Sequence, residues 1–248
     1  MQVSYVLHEG TYYMEPLKNL IFDLGGVLIE YRWRDFLRDL GAPEQRLDLI
    51  GSEMFEDPRH LWHEFDLGNY TEEELIAEFA KEFPEDISYI ASFVRHGEYM
   101  HVPRVDVWER VHLLKEKGYR LYLLSNYPES LFRKHTQYAD FMKDLDGRVV
   151  SYEVCLGKPE MGIYQALLDK YALNPKESIF FDDRADNVRG AEACGIPSRL
   201  VYSKESLLED LDALLAGEEE RVRSSDGLEK ESQQEDSERD LPGGHPKR

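Results

Sequence analysis

Three short apolar runs of the sequence each end in residues that could do chemistry. Those residues are Asp23 after the first run, Ser125 and Asn126 after the second, and Asp182 and Asp183 after the third. The carboxyl ends of parallel strands form one edge of an open sheet, and ligands bind at that edge. If the three runs are parallel strands, we therefore expect these residues to share one site. A lone Asp23 would more simply be a turn residue or a helix cap.

The three carboxylates predict a site for a divalent cation and a phosphoryl group. Asp23, Asp182 and Asp183 would raise one another's pKa if they met without a cation. Mg²⁺ binds a few carboxylates together with water and substrate phosphate, and it polarises a phosphoryl group for in-line attack. A carboxylate such as Asp23 can then act as the nucleophile, which gives an aspartyl-phosphate. The expected cofactor is therefore Mg²⁺.

Further polar groups are expected to hold the phosphoryl oxygens. The hydroxyl of Ser125 and the backbone N–H of Asn126 could do so, and Lys158 in the segment Gly157–Glu160 would complete the balance of charge. Taken by itself, Lys158 could equally be a solvated loop lysine. The chain has 30 basic and 50 acidic residues and a net charge of −20, so an anion site must be made locally by cations and N–H groups.

Buried strands that alternate with helices are expected to position these residues. The predicted strands span residues 19–22, 121–124, 148–154, 178–181 and 199–202. Continuous apolar strands suit a parallel sheet that is covered on both faces, and strands joined through helices form right-handed βαβ units. The expected fold class is thus α/β, with a Rossmann-like parallel sheet as the core.

A stretch with helical patterns alone interrupts this alternation. Within it, Thr71 and Glu74 form a capping-box pattern ahead of an apolar helical face. We expect the stretch to be an α-helical cap inserted into the core, which is flanked by an N-terminal extension without a clear period and by a disordered acidic tail. The extension is expected at residues 1–18, and the core at residues 19–30 and 101–216. The cap is expected at residues 31–100 and the tail at residues 217–248.

Composition excludes several classes of protein. A strongly acidic chain repels nucleic acid and anionic lipid, and no apolar run reaches the ~18 residues of a membrane span. Cys155 and Cys194 give no disulfide framework, and the N-terminus lacks the basic start and long apolar stretch of a signal peptide. We expect a cytoplasmic protein, a monomer or homodimer, whose partner is a small phosphorylated metabolite, with no nucleic-acid or membrane partner.

Four ordered motifs resemble those of the haloacid dehalogenase-like superfamily, in its phosphatase branch with a helical cap. The motifs are Phe22–Ile29, Leu123–Asn126, Gly157–Glu160 and Phe180–Asn187, and Gly68 with Thr71 and Glu72 resembles a recurring cap signature. Their order and spacing match the superfamily over about residues 19–202. The resemblance implies the same fold class and the same kind of phosphatase chemistry that the strand ends predict.

The resemblance also implies a role for each candidate site residue. Asp23 would be the nucleophile and a ligand of Mg²⁺. The backbone carbonyl of Gly25 and the carboxylate of Asp183 would be further ligands, and Asp182 would bind the ion directly or through water. The residues that would bind the phosphoryl group are Ser125, Asn126 and Lys158, with Lys158 also counted among the catalytic groups.

The chain departs from the usual family pattern at Gly25. Most phosphatases of the family have a second Asp at this position, which serves as general acid and then as general base. Glycine cannot transfer a proton, although its carbonyl can bind metal, and such acid–base help is worth about 10²- to 10⁴-fold in rate. The segment resembles a subgroup with Asp-Leu-Gly in this motif, some of whose members are sugar-phosphate phosphatases.

Three functions are therefore compatible with the sequence. The leading one is a Mg²⁺-dependent phosphatase that acts on a small, sugar phosphate-like metabolite through an aspartyl-phosphate. A haloacid dehalogenase-type hydrolase needs no Mg²⁺, and the paired acids would crowd its site with negative charge. The protein would be a catalytically weak or inactive binding protein if Gly25 leaves the site without the acid–base group. The cap residues expected to select the leaving group are Trp33, Arg34, His60, Trp62, His63 and Glu64.

Overall fold

A five-stranded parallel sheet forms the centre of the computed structural model, which describes residues 5–8, 11–14 and 16–223. The strands of the described chain are β1 (Tyr5–His8), β2 (Thr11–Met14), β3 (Asn19–Phe22), β4 (Ile29–Tyr31), β5 (His101–Pro103), β6 (Arg120–Ser125), β7 (Gly147–Val150), β8 (Ser178–Asp182) and β9 (Ser198–Leu200). The central sheet has the order β7-β6-β3-β8-β9, and all its neighbouring pairs are parallel. The expected α/β fold class is confirmed.

Helices cover the sheet and fill the long connection between β4 and β5. They are α1 (Trp33–Asp39), α2 (Leu47–Phe55), α3 (Leu61–Asp66), α4 (Glu72–Glu82), α5 (Ile87–Arg95), α6 (Val105–Glu116), α7 (Glu129–Thr136), α8 (Ser151–Val154), α9 (Met161–Tyr171), α10 (Ala185–Ala193), α11 (Lys204–Ala216) and α12 (Glu219–Arg223). Short 3₁₀ turns lie at Glu44–Arg46, Gly97–Tyr99, Asp140–Asp144 and Pro175–Glu177. Among the helices of the described chain, none has the length and apolar character needed to cross a bilayer.

Alternate residues of the central strand β3 belong to two separate hydrophobic layers. Leu20 and Phe22 lie in one layer, where the ring of Phe22 stacks on that of Phe181 at a centroid distance of 5.2 Å. Ile21 lies in the other layer, together with Phe180. Because both faces of the strand are buried, an unbroken apolar run from Leu20 to Phe22 follows its first residue. The first polar residue then marks the end of the strand.

The register of the sheet brings the ends of three strands to the same level. Phe22 lies opposite Leu123 of β6 and Phe181 of β8. The N–H of Asp23 continues this pairing and donates to the carbonyl of Phe181 at 2.9 Å. The polar residues that follow β3, β6 and β8 therefore emerge together at the carboxyl edge of the sheet.

Two edge strands are shorter than the sequence predicted. The third strand was expected over residues 148–154, but β7 ends at Val150 and Ser151 begins α8. The last partner of β7 is Ser125, where β6 itself ends, so the ladder offers no further hydrogen bonds. In the same way β9 stops opposite the end of β8, two residues before the end of the expected strand 199–202.

Helices α1–α5 form a helical insertion, residues 33–95, that is connected to the core by a two-stranded ribbon. The ribbon consists of β4 and β5, which pair antiparallel with Tyr31 opposite His101. In α4 the expected capping box is confirmed, since Thr71 Oγ1 accepts from the N–H of Glu74 and the Glu74 carboxylate accepts from the N–H of Thr71. We propose that this insertion is the cap expected at residues 31–100.

Both ends of the described chain contain more structure than expected. Strands β1 and β2, inside the expected extension 1–18, pair as an antiparallel hairpin. Helix α12 is anchored to the core, because the carboxylate of Glu219 accepts from the N–H of Leu17 at 2.8 Å and from the hydroxyl of Tyr119 at 2.9 Å. The prediction of disorder from residue 217 is wrong for α12, and residues 224–248 lie outside the described chain.

Candidate active site

Asp23 directly follows β3, and it is nearly buried at the carboxyl edge of the sheet. Its Oδ1 accepts from the N–H of Leu24 at 2.7 Å and lies 2.9 Å from Nζ of Lys158, and Ser125 donates a further hydrogen bond to the carboxylate. Burial raises the pKa of Asp23, and repulsion from Asp182 adds to it, while the lysine and the hydrogen bonds only partly oppose them. The carboxylate is therefore held by fixed donors, but the positive charge around it is too small to prevent the rise of its pKa.

Lys158 lies at the centre of the site rather than on a solvated loop. Its side chain is 1% exposed, and Nζ contacts Oδ1 of Asp23 at 2.9 Å and Oδ2 of Asp182 at 2.6 Å. The ammonium also donates to the carbonyl of Leu124 at 2.9 Å. Burial by itself would lower the pKa of Lys158, but the two carboxylates outweigh it and the pKa is raised. The lysine therefore stays charged at neutral pH.

Asp182 holds this lysine and accepts further hydrogen bonds at both of its oxygens. It is fully buried, and its Oδ1 accepts from the N–H of Arg184 at 2.8 Å. The amide of Asn187 donates to both of its oxygens, at 2.9 and 3.1 Å, and Lys158 takes Oδ2. Since every oxygen of Asp182 is occupied by protein donors, its main structural contribution is to orient Lys158.

Asn126 fixes the loop that carries Lys158 to the end of β6. Its Oδ1 accepts from the N–H of Lys158, and its Nδ2 donates to the carbonyl of the same residue, both at 2.8 Å. The sequence predicted a contribution from the backbone N–H of Asn126, whereas the structure shows a side-chain contribution in addition. The predicted contact of that N–H with a phosphoryl group stays a prediction.

Asp183 brings a second, more accessible carboxylate to Asp23. Its side chain lies so close to Gly26 that a Cβ atom there would collide with the carboxylate, and Gly26 has a φ of +69° that favours glycine. Burial, followed by the charges of Asp23 and Asp182, raises the pKa of Asp183 to about 7. Asp23 and Asp183, which are about 160 positions apart in the chain, thus meet at the carboxyl edge of the sheet.

The donor set at this edge fits a divalent cation. Asp23, Asp182 and Asp183 each offer one carboxylate oxygen, and these oxygens lie within 4.8 Å of one another. Lys158 supplies a single positive charge against three carboxylates, so the pKa values of Asp23 and Asp183 are raised. A hard cation with oxygen ligands relieves that conflict. Gly25 lies in the turn after Asp23, and metal binding by its carbonyl stays a prediction.

Two groups near Asp23 were missed by the sequence interpretation. Burial raises the pKa of both Asp66 and Tyr31 well above their usual values, and the charge of Asp23 adds a smaller effect to both. Asp66 ends α3, and its carbonyl accepts a hydrogen bond from Ser151, which ties the insertion to the core. Asp66 lies two residues before Gly68 of the cap signature, and that position could have identified it from the sequence. No sequence pattern identified Tyr31.

Of the residues expected to select the leaving group, His63 contacts the segment that carries Lys158. A Cβ atom on Gly157 would come within 2.9 Å of its ring. Trp33 and Trp62 instead pack on Phe55 inside the insertion, with ring centroids 5.8 and 4.8 Å apart. The remaining three lie elsewhere in the insertion: Arg34, His60 and Glu64.

These features define an α/β enzyme with a carboxylate–lysine site at the carboxyl edge of a parallel sheet and a helical insertion after the first strand of that sheet. A family model described as haloacid dehalogenase-like hydrolase matches residues 17–195 of the chain. The chain belongs to this family of hydrolases, as its motifs predicted.

Individual relatives agree with this family. The sesquiterpene phosphatase astK of Aspergillus oryzae is 26% identical over 185 residues, which are 72% of this chain and 87% of the relative. A HAD family enzyme of Bacteroides thetaiotaomicron, solved with magnesium and inorganic phosphate, has a TM-score of 0.59 at 24% identity, over 74% of this chain and 93% of the other. A HAD-like hydrolase of Porphyromonas gingivalis has a TM-score of 0.62 at 24% identity, over 81% and 98%. The two structures share the fold of this chain.

Proposed function

We propose that this hydrolase is a Mg²⁺-dependent phosphatase that acts on a small phosphorylated metabolite, such as a sugar phosphate. The observation that carries the proposal is the buried ammonium of Lys158, which contacts Asp23 and Asp182 beside the carboxylate of Asp183. A fixed cation beside a nucleophilic carboxylate suits an anionic phosphoryl group. The sesquiterpene phosphatase relative supports this reaction class, and the magnesium- and phosphate-bound neighbour supports the cofactor.

The cofactor would be held by the acidic side of the site. Asp23 and Asp183 would bind Mg²⁺ together with the backbone carbonyl of Gly25, and Asp182 would bind directly or through water. When bound, the ion offsets the negative charge of the phosphoryl oxygens and of the carboxylates. The raised pKa values of Asp23 and Asp183 are the evidence in this chain that such a charge is needed.

The reaction would consist of two displacements at phosphorus. First, a carboxylate oxygen of Asp23 attacks phosphorus, the bond to the leaving oxygen breaks with its electron pair on that oxygen, which takes up a proton from solvent, and an aspartyl-phosphate forms. Water then attacks the same phosphorus, the bond to Asp23 breaks, and phosphate departs. Lys158, the hydroxyl of Ser125 and the N–H of Asn126 hold the phosphoryl oxygens in both steps.

Release of phosphate from a substrate panel tests this function. The panel contains sugar phosphates, an aryl phosphate and an isoprenyl phosphate, each assayed with Mg²⁺ and with excess EDTA. The expected result is release from at least one substrate, abolished by EDTA. Binding of Mg²⁺ without release from any substrate would favour the inactive binding protein, and halide release from a 2-haloacid without Mg²⁺ would favour the dehalogenase.

A further inference from the structure

The hydroxyl of Tyr31 occupies the space above Gly25, two residues after the nucleophile. A Cβ atom added to Gly25 would collide with the hydroxyl and ring of Tyr31. Because residue 25 has no side chain, the phenol can lie directly against the turn that follows Asp23. Burial and then the phenol of Tyr127 raise the pKa of Tyr31 well above its usual value, and the charge of Asp23 adds a smaller effect. The hydroxyl therefore belongs to the site.

The ribbon fixes the position of Tyr31. Tyr31 is the last residue of β4 and pairs with His101 of β5 at the junction between core and helical insertion. The ring of His101 stacks on that of His135 in the core, with centroids 4.8 Å apart. The ring of Tyr31 packs on the same His135 ring, with centroids 6.3 Å apart, so backbone pairing and ring packing both position the phenol.

A buried row of hydrogen bonds leads away from this hydroxyl. Tyr31 Oη lies 2.7 Å from Tyr127 Oη, Tyr127 Oη lies 2.6 Å from Nδ1 of His135, and Nε2 of His135 lies 2.8 Å from the carbonyl of Gly97. The proton positions follow from the partners, since a carbonyl only accepts. Nε2 must donate to Gly97, so the neutral ring accepts at Nδ1 from Tyr127, whose oxygen accepts from Tyr31.

Because Tyr31 donates its own proton to Tyr127, a lone pair of the Tyr31 oxygen can accept a hydrogen bond from a group in the site. Of the carboxylates beside Asp23, that of Asp183 would be a ligand of Mg²⁺ when the ion is bound. Asp182 has both oxygens occupied by Lys158 and backbone or amide donors. The Tyr31 oxygen is the acceptor beside Gly25 that is linked by hydrogen bonds to a buried imidazole.

We propose that Tyr31 is a catalytic residue of the second displacement, which accepts a proton from the water that hydrolyses the aspartyl-phosphate, and that Tyr127 and His135 are positioning residues that relay this proton. The inference rests on the proposed phosphatase function and adds the group that serves its water step. It requires no co-reactant besides water.

The water oxygen bonds to phosphorus while the bond from phosphorus to Asp23 breaks, and its electron pair returns to the carboxylate. The water proton moves to Tyr31, the proton of Tyr31 moves to Tyr127, and that of Tyr127 moves to Nδ1 of His135. Both phenols end neutral and His135 carries one positive charge. Burial disfavours that charge, so the proton returns along the same row to the departing phosphate.

Replacing Tyr31 by Phe tests this role with the ring kept in place. The substrate is p-nitrophenyl phosphate, whose good leaving group makes the first displacement fast. We expect the variant to release one nitrophenol per site in a rapid burst, to turn over about 10²- to 10³-fold more slowly than wild type, and to accumulate phosphorylated enzyme in acid-quenched samples analysed by intact mass. Turnover within threefold of wild type, or slow turnover without phosphorylated enzyme, overturns the proposal.

Two further variants separate this role from a structural one. Tyr127→Phe breaks the row without touching the site, so it should also accumulate phosphorylated enzyme, which a packing defect would not cause. Tyr89→Phe is the matched control, since that phenol lies in α5 and contacts the carbonyl of Gly41 at 3.4 Å; it should behave as wild type. A wild-type enzyme that releases no phosphate would overturn the proposed function itself, whereas activity unchanged in Tyr31→Phe overturns only this inference.

Discussion

The candidate site has two sides that differ in charge. We call them the charged edge, at the carboxyl ends of the strands, and the neutral row, between the ribbon and α7. Their members are Asp23, Lys158, Asp182 and Asp183 in the charged edge, and Tyr31, Tyr127 and His135 in the neutral row. Lys158 bridges two carboxylates at 2.6 and 2.9 Å in the former, whereas burial disfavours ionisation of all three members of the latter.

This difference indicates a division of labour. Three carboxylates and one ammonium in a small volume suit the binding of a cation and an anion together. A further carboxylate there would add to a charge that already raises the pKa of Asp23 and Asp183. Phenols and a neutral imidazole supply hydrogen bonds, and a route for a proton, without adding charge at rest. The predictions below act on one side at a time.

Replacing Asp23 by Asn should have the largest effect, because it removes the proposed nucleophile from the charged edge. Phosphate release should fall by at least about 10⁴-fold. The two side chains have nearly the same volume, so the circular dichroism spectrum and the thermal transition should remain those of a folded protein. Residual activity within tenfold of wild type would contradict the nucleophile assignment.

Replacing Lys158 by Ala should lower both rate and stability, because it leaves two buried carboxylates without their partner. Phosphate release should fall by about 10²- to 10³-fold, and the free energy of unfolding should fall by about 3–5 kcal/mol, measured by urea denaturation. Lys170→Ala is the control, since that exposed lysine donates to the carbonyl of Arg148 at 3.0 Å and lies over the ring of Tyr171, away from the charged edge. An unchanged rate in Lys158→Ala would show that the lysine is not part of the machinery.

His135→Gln should change the pH dependence of stability, because His135 is the most buried base of the neutral row. Burial lowers the pKa of His135 from 6.5 to about 4. As pH falls through 6.5 the unfolded chain takes up this proton before the folded one, so wild type should lose about 3 kcal/mol from this group between pH 7 and pH 4. The variant should lack that part of the loss in urea titrations at both pH values. Equal losses in the two proteins would argue against a neutral buried His135.

Mg²⁺ binding should weaken in acid, which is the smallest of these effects. In the metal-free protein the pKa of Asp183 is about 7 because of burial and the neighbouring carboxylates. Below that pH a proton competes with the ion, so affinity should fall by up to about tenfold per pH unit. Calorimetric titrations at pH 8 and pH 6 measure this change, and Asp183→Asn should bind weakly at both. An affinity for Mg²⁺ that does not change with pH would show that Asp183 is not a ligand of the ion.

The charged edge was predictable from the sequence because strand ends determine it. A strand buried on both faces has an unbroken apolar run at its centre, so Asp23 and Asp182 were recognisable as the points where such runs end. The parallel register then placed them side by side. The ends of the outer strands were less predictable, because β7 stops where its partner β6 stops and not where its own apolar pattern stops.

The neutral row could not be predicted in the same way. Tyr31, Tyr127 and His135 have no periodic pattern, and they meet only because the ribbon returns the chain to the sheet after the helical insertion. Helix α12 was missed for a similar reason, since its anchor Glu219 contacts Leu17, 202 residues away in the chain. Contacts of this kind depend on tertiary packing rather than on local sequence.

The central claim is that Asp23 becomes covalently phosphorylated during turnover. Wild-type enzyme mixed with Mg²⁺ and p-nitrophenyl phosphate, quenched in acid within milliseconds and reduced with borohydride, would carry homoserine wherever an aspartyl-phosphate had formed. Peptide mass spectrometry should find that homoserine at position 23, and Asp23→Asn should show none. Active wild-type enzyme with an unmodified Asp23, or with the modification on another residue, would contradict the account.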